Sequence, residues 1–172
     1  GTAMGNLNAR NLTLMAVITS CFLQAGGGLF AILVVVSTLI EAPPRSFAIL
    51  EGPYRYDSSA FWQTVPPITA VLFVIALVAN WKTSRLWLVV AAFALFILGG
   101  LLAGVLLEPE FARITEGGHQ EVIDPELQSR ARSWYVLDWA VWSVTLMAGI
   151  ALLLALARAV PDHKKDQVGA TE

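Results

Sequence analysis

The sequence predicts an all-α integral membrane protein, a bundle of four transmembrane helices with both termini in the cytoplasm. Two observations lead to that expectation: four long apolar stretches, and a composition that is 56% hydrophobic and 14% charged over 172 residues. Water-soluble domains carry about 25% charged residues. A chain of this length has room for one domain, and a single core could not hide so much apolar surface from water. Lipid is the solvent that fits.

The first stretch runs from Asn11 to Ile40. It is too long for a signal-peptide core and leads into Glu41-Ala42-Pro43-Pro44 without a small-residue cleavage site, so it reads as a retained helix. Gly26-Gly27-Gly28 marks a place where it tilts or loosens. The second stretch runs from about Trp62 to Val78 and is entered through Trp62 and Pro66-Pro67. The third spans Leu86 to Leu107 and the fourth Trp134 to Ala157. Each approaches or exceeds the roughly 20 residues a span needs. Before the fourth, Asp124-Pro125-Glu126 combines an N-cap residue, a proline at the first helical position and an acid in the first turn. That helix is therefore expected to begin near Pro125, outside the membrane, and to enter it near Trp134. Residues 4–161 form the single transmembrane domain and 162–172 a polar tail. Gly1 to Ala3 read as an expression remnant.

Loop charges set the expected orientation. The N-terminus, the Asn80-to-Arg85 turn and the tail carry six Lys/Arg against three acids. The two longer loops on the other side carry five Arg against nine acids. Every lysine and the higher basic density lie on the first side, which the positive-inside rule assigns to the cytoplasm of a cell (inner) membrane protein.

Composition also excludes function classes. A net charge of −2, with no basic stretch interleaved with aromatics, argues against nucleic-acid binding. The one cysteine, Cys21, lies in an apolar run and reads as a small buried hydrophobe. The histidines are His119, in a loop, and His163, in the tail. Glu116-Gly-Gly-His119 is one loop pair, whereas di-iron bundles need two Glu-x-x-His pairs on facing helices. No cofactor is predicted, and haem would have only His119 or an unusual ligand. There is no Cys-x-x-Cys, phosphate loop or nucleophile elbow.

Asp138, inside the fourth apolar stretch, is the most informative residue: an ionised carboxylate there costs a few kcal/mol unless it finds a partner or water. At 100° per residue, Gln128, Arg132, Tyr135, Asp138, Trp139 and Trp142 share an arc of roughly 120° that should face the bundle. Ser133, Leu137, Ala140, Val141, Val144 and Ala148 form the opposite, lipid-suited face. An interfacial aromatic belt and a structural aspartate are the plainer reading of the same residues. Helix one has a small and polar stripe of Thr13, Ser20, Gln24, Gly27, Gly28, Ala31 and Thr38. Helix three has Gly100-x-x-x-Gly104 with Ala92, Gly99 and Ala103 near the same face, suited to helix packing within the bundle or in a homo-oligomer. Glu41 and Arg45, Trp62, Glu108 and Glu110, and Arg132 to Asp138 all gather at the non-cytoplasmic mouth. Asp138, Glu41 or Glu108 would act as acid or base, and Arg132 or Arg45 would hold an oxyanion or pair with the acids.

The layout resembles the anthrone-oxygenase-like group of small four-helix membrane proteins, over roughly Gly27 to Ala157. The resemblance rests on the glycines of helix one, Pro43-Pro44, the Trp62-to-Pro66 entry, Arg85, Pro109 and Trp134. It implies cofactor-free oxygenation of fused-ring phenolic compounds. The chain departs from the group at Pro109-Glu110-Phe111, where members carry Pro-x-Asn, and at Tyr135 and Asp138, where a His or Arg would follow the Trp.

Two functions fit these residues. The first is a membrane-embedded enzyme of oxygenase or isomerase type, acting by proton transfer on a lipophilic, aromatic or quinone-like molecule. Asp138, Arg132 and Glu41 would be its catalytic groups. Tyr135, Trp139, Trp142, Arg45, Trp62, Gln24 and Glu108 would bind the substrate. The alternative is a non-catalytic module that binds lipid or a small molecule, or an accessory subunit of a membrane complex.

Overall fold

The computed structural model describes residues 8–158; the tail with His163, and Gly1 to Ala3, lie outside the described residues. Four helices are long and apolar enough to cross a membrane: α1 (Ala9–Leu39), α2 (Ser59–Asn80), α3 (Leu86–Thr115) and α4 (Pro125–Ala157). Most of each apolar window faces outward. Leu33, Val34, Val71, Val74, Leu98, Leu101, Val105, Val136 and Met147 all stand exposed around the bundle. A surface of this kind is stable only against lipid. The chain is a multi-pass, all-α membrane protein.

The helix starts follow the local chemistry. Asn8 caps α1, its Oδ1 accepting from the Arg10 N–H at 3.3 Å. Asp124 caps α4 as expected, its Oδ1 accepting from the Glu126 and Leu127 N–H groups at 2.9 and 3.2 Å, with Pro125 following. Several boundaries differ from the apolar stretches. Helix α1 begins two residues before Asn11, and α2 begins at Ser59 rather than Trp62. Helix α3 continues past Leu107 to Thr115, because Glu108-Pro109-Glu110 is itself a good first turn. The polar end of a membrane helix leaves no hydropathy signal.

The loosening expected at Gly26-Gly27-Gly28 lies just beyond those glycines. Residues 26–30 are α-helical, and a π-helical segment follows at Ala31–Val36. A second π segment, Ala103–Leu107, interrupts α3. Gly27 has a different use: a Cβ there would lie 2.3 Å from Phe61 Cζ, so its absence lets α1 and α2 approach.

The half of the bundle nearer the α2–α3 turn is closed. Leu14, Val17 and Cys21 of α1, Phe73 and Ala76 of α2, Val89, Ala92 and Phe96 of α3, and Ala148 and Leu152 of α4 form its core. Val141 and Ala148, expected on the lipid face, are buried. Arg85, in the α2–α3 turn, ties the closed end together. It is buried and donates to Asn11 Oδ1 at 2.6 Å, the Arg158 carbonyl at 2.7 Å and the Leu156 carbonyl at 3.4 Å. The cation thus meets the carboxyl end of α4, where unpaired carbonyls attract it.

The other end is roofed by a smaller apolar cluster of Val35, Leu39, Phe47, Ile114 and Ala131. A 3-10 turn, Arg45–Leu50, follows the Pro43-Pro44 pair. An isolated bridge joins Pro44 to Ile123, and the Asp124 N–H donates to the Pro43 carbonyl at 3.0 Å.

Candidate functional site

Between the closed core and the roof, the four helices separate around a cavity of about 610 Å³, within the range of small-molecule sites. One turn from its lining residues Gln24 and Pro66, outside the lining, the Ser20 and Thr69 hydroxyls bond at 2.7 Å. Its walls come from all four helices: Gln24 to Leu39 of α1, Ser59, Trp62 and Pro66 of α2, Gly99 to Phe111 of α3, and Trp134 to Thr145 of α4. Both π segments are on these walls, through Ala31, Ile32, Val35 and Val36 and through Ala103 and Leu107. Single-turn π segments often accompany functional sites because they re-aim side chains and loosen the backbone ladder.

Asp138 is on the α4 wall, with Trp134 one turn before it and Trp142 one turn after. Both indole N–H groups are committed elsewhere. Trp134 Nε1 donates to the Leu107 carbonyl at 2.9 Å, at the end of the α3 π segment. Trp142 Nε1 donates to the Ala25 carbonyl at 2.8 Å, just before the π segment of α1. The two tryptophans therefore fasten α4 to α3 and α1 and present aromatic surface to the cavity. Among the described residues, the Asp138 carboxylate has no hydrogen bond and no ion pair. Across from it, Gln24 Oε1 is buried and also lacks a partner among those residues.

The end of the cavity toward the α1–α2 loop is more polar. Tyr56, Asp57, Ser58 and Ser59 border it from the loop before α2, and Glu108 from α3. Asp57 Oδ1 accepts from the Ser59 hydroxyl and from the Ser59 N–H at 2.9 Å. These bonds, with the Arg55 charge nearby, hold the Asp57 carboxyl below the usual carboxylate range. Trp62, Gly100 and Glu108 are lining residues that also reach the outer surface. Trp62 is on α2, and Gly100 and Glu108 are on α3.

Of the residues expected at the site, the cavity wall brings together Asp138, Trp142, Trp62, Gln24 and Glu108. Five others are absent from the lining. Arg132, Glu41 and Arg45 are exposed. The Glu41 carbonyl accepts from Gln128 Nε2 at 2.6 Å, and the Arg45 carbonyl bonds His119 Nδ1 at 2.9 Å. Tyr135 and Trp139 form an edge-to-face pair at 6.3 Å, and Trp139 packs edge-to-face on Trp142 at 5.4 Å, behind the wall. The lining face of α4 is Trp134, Asp138, Val141, Trp142 and Thr145, rotated roughly 70° from the expected arc. Trp134 and Thr145 were not among the expected site residues; their spacing of four and seven from Asp138 is the signal that marks them.

Glu110, at the expected mouth, pairs instead with Arg130, which donates through Nε and, at 2.9 Å, through Nη2. This pair fastens the end of α3 to α4 outside the cavity. Among the described residues no group of three His, Cys, Asp or Glu side chains is placed to hold a metal ion. No protein-family model matches the chain, and neither a curated protein nor a solved structure does.

Proposed function

We propose that this chain is a membrane-embedded enzyme that takes a lipophilic, aromatic or quinone-like molecule from the bilayer and moves a proton on it through Asp138. The carrying observation is the placement of that carboxylate: unpaired among the described residues, on a largely apolar wall, between Trp134 and Trp142. A carboxyl so placed gains from any ligand that supplies the missing hydrogen bond, and it is within reach of whatever lies between the aromatic faces. Trp62, Trp134 and Trp142 supply flat surface, and Gln24 supplies an amide to orient a polar substituent. Oxygenase- or isomerase-type chemistry and a location in the cell (inner) membrane belong to the same proposal.

The test is native mass spectrometry and an absorbance spectrum of protein extracted in mild detergent, followed by turnover of the retained molecule. Wild-type protein should carry a small aromatic molecule and convert it. Asp138→Asn should insert and retain the molecule without converting it. Protein that arrives empty and shows no saturable binding of an added quinone would sink the proposal.

A second reading, a non-catalytic binding module or subunit, has one observation in its favour. A Cβ at Gly100 or Gly104 would meet nothing within 4 Å, so the small-residue face of α3 is open to another helix. Retention of the ligand by wild type and Asp138→Asn alike, with no conversion by either, would favour it.

A further inference from the structure

The charge on the cavity wall is one-sided. Asp57, Glu108 and Asp138 line it, and among the described residues no lysine, arginine or histidine does. Both arginines expected to supply positive charge, Arg45 and Arg132, are on the exposed surface instead. None of the three acids takes part in an ion pair among the described residues, whereas Glu110, outside the cavity, is fully engaged by Arg130. Asp57 is kept ionised by the Ser59 donors. The aromatic side chains on the same wall are Tyr56, Trp62, Phe111, Trp134 and Trp142.

Acidic groups and aromatic faces attract the same kind of ligand. A carboxylate in an apolar wall gains most from a positive charge brought to it. The negative face of an indole attracts cations too, best when both are desolvated. Two of the indole N–H groups, which would otherwise favour an acceptor, are already used on backbone carbonyls. An anionic ligand would meet three carboxyl groups and, among the described residues, no basic side chain, and a phenolate would meet the same disadvantage.

We infer that the cavity selects a lipophilic organic cation, a protonated amine or quaternary onium group carried on an aromatic or hydrocarbon body. The inference rests on the cavity being the ligand site proposed above, and within the lipophilic aromatic class it favours a cation over a neutral quinone. The cationic centre sits near Asp138 between the tryptophans, with Glu108 and Asp57 drawing it in from the polar end.

Binding can be read from tryptophan fluorescence, since three of the six tryptophans line the cavity. The full chain is placed in nanodiscs of phosphatidylcholine, whose lack of net charge avoids gathering cations at the surface. The probes are tetraphenylphosphonium, its anionic counterpart tetraphenylborate, and menadione, a neutral naphthoquinone. Tetraphenylphosphonium should change the fluorescence saturably. Its affinity should fall about tenfold in Asp138→Asn and about threefold in Glu108→Gln. Saturable tetraphenylborate binding as tight as that of the phosphonium would overturn the inference, as would unchanged phosphonium affinity in both variants. In either case saturable menadione binding leaves the cavity as a ligand site intact. If no probe binds saturably, the cavity reading fails and the inference fails with it. Should Asp138→Asn not insert, Glu108→Gln and the phosphonium–borate comparison on wild-type protein decide the matter.

Discussion

Trp142 of α4 donates its indole N–H to the carbonyl of Ala25 in α1 at 2.8 Å, fixing the cavity wall one turn from Asp138. The bond joins two helices and positions the ring that faces the ligand. Trp142→Phe keeps an aromatic face and removes the bond, so it should cost about 1 kcal/mol of stability. Melting in detergent, followed by circular dichroism, should show a drop of a few degrees. Trp134→Phe should behave alike through its lost bond to Leu107. An unchanged midpoint in both variants would mean that neither bond fastens the wall.

Gly27 offers a sharper steric test. Gly27→Ala would place a methyl group 2.3 Å from Phe61 Cζ, and the ring can yield only by disturbing its edge-to-face contact with Trp62 at 5.0 Å. A loss of about 1–3 kcal/mol is expected, as for other overpacked sites. Gly27→Ala with Phe61→Leu should recover much of it. Gly26→Ala, where a Cβ meets nothing within 4 Å, should be neutral or slightly stabilising. Thermal stability in one detergent, compared across the four proteins, decides whether the close approach of α1 and α2 depends on this glycine.

Arg85 should be the least replaceable residue of the closed end. Its guanidinium reaches the Asn11 side chain and two carbonyls of the α4 terminus, a fork that a single ammonium cannot reproduce. Arg85→Ala is expected to cost about 1–3 kcal/mol, since it removes a buried guanidinium and leaves partly buried acceptors unpaired. Arg85→Lys should recover part of that loss. Hydrogen exchange at the α4 terminus would show the release directly, and full protection in Arg85→Ala would refute the role.

How much of this was legible in the sequence differs between fold and site, and the reason is physical. Apolar length alone reveals a membrane helix, and Asp124-Pro125-Glu126 marks the start of α4 because caps and dipoles act locally. Helix phase is harder to read. In lipid both the outward and the inward face of a helix are apolar, so polarity no longer marks the core side. Val141 and Ala148 look like lipid-facing residues and are buried. Arg132 looks like a cavity residue and is exposed, because a long cation near a helix end reaches the headgroup region. Asp138 was recognisable because an acid inside an apolar stretch is costly wherever it points. Its neighbours on the wall, Trp134 and Thr145, depend on the exact rotation of α4, which is set by contacts such as Gly99 against Thr145 Oγ1. The π segments arise in runs of ordinary helix-compatible residues and have no local signature.

The start of α2 should respond to acid. Asp57 accepts two bonds from Ser59, and its carboxyl is held below the usual range in the folded protein. A depressed folded value means that the contribution is present above the unfolded value, near pH 4, and is lost as pH falls through the folded one. Below about pH 4, hydrogen exchange of residues 59–62 should therefore quicken relative to the rest of α2. Asp57→Asn should make that segment's relative protection insensitive to pH over the same range. Equal acid sensitivity in the variant would place the titrating group elsewhere.

Access from the bilayer through the seam between α2 and α3 can be tested with two glycines of α3 that differ in whether they line the cavity. Gly100 lines it and is exposed; Gly104 is exposed and absent from the lining. A Cβ at either position meets nothing within 4 Å, so a side chain at each is sterically tolerated by the fold. Gly100→Phe should stand in the seam and slow entry of a lipophilic probe at least about tenfold, a barrier increase of roughly 1.4 kcal/mol. Gly104→Phe should leave entry within about twofold of wild type. Stopped-flow fluorescence of the cavity tryptophans in nanodiscs measures both, and thermal melting verifies that each variant is folded. The same pair separates access from self-association, since a homo-oligomer built on Gly100 and Gly104 would be weakened by either substitution. Slowed entry in Gly100→Phe alone, with an unchanged oligomeric state, identifies the seam as the route in. Equal entry rates in all three proteins would mean that ligand reaches Asp138 from the aqueous side, past Asp57 and Glu108.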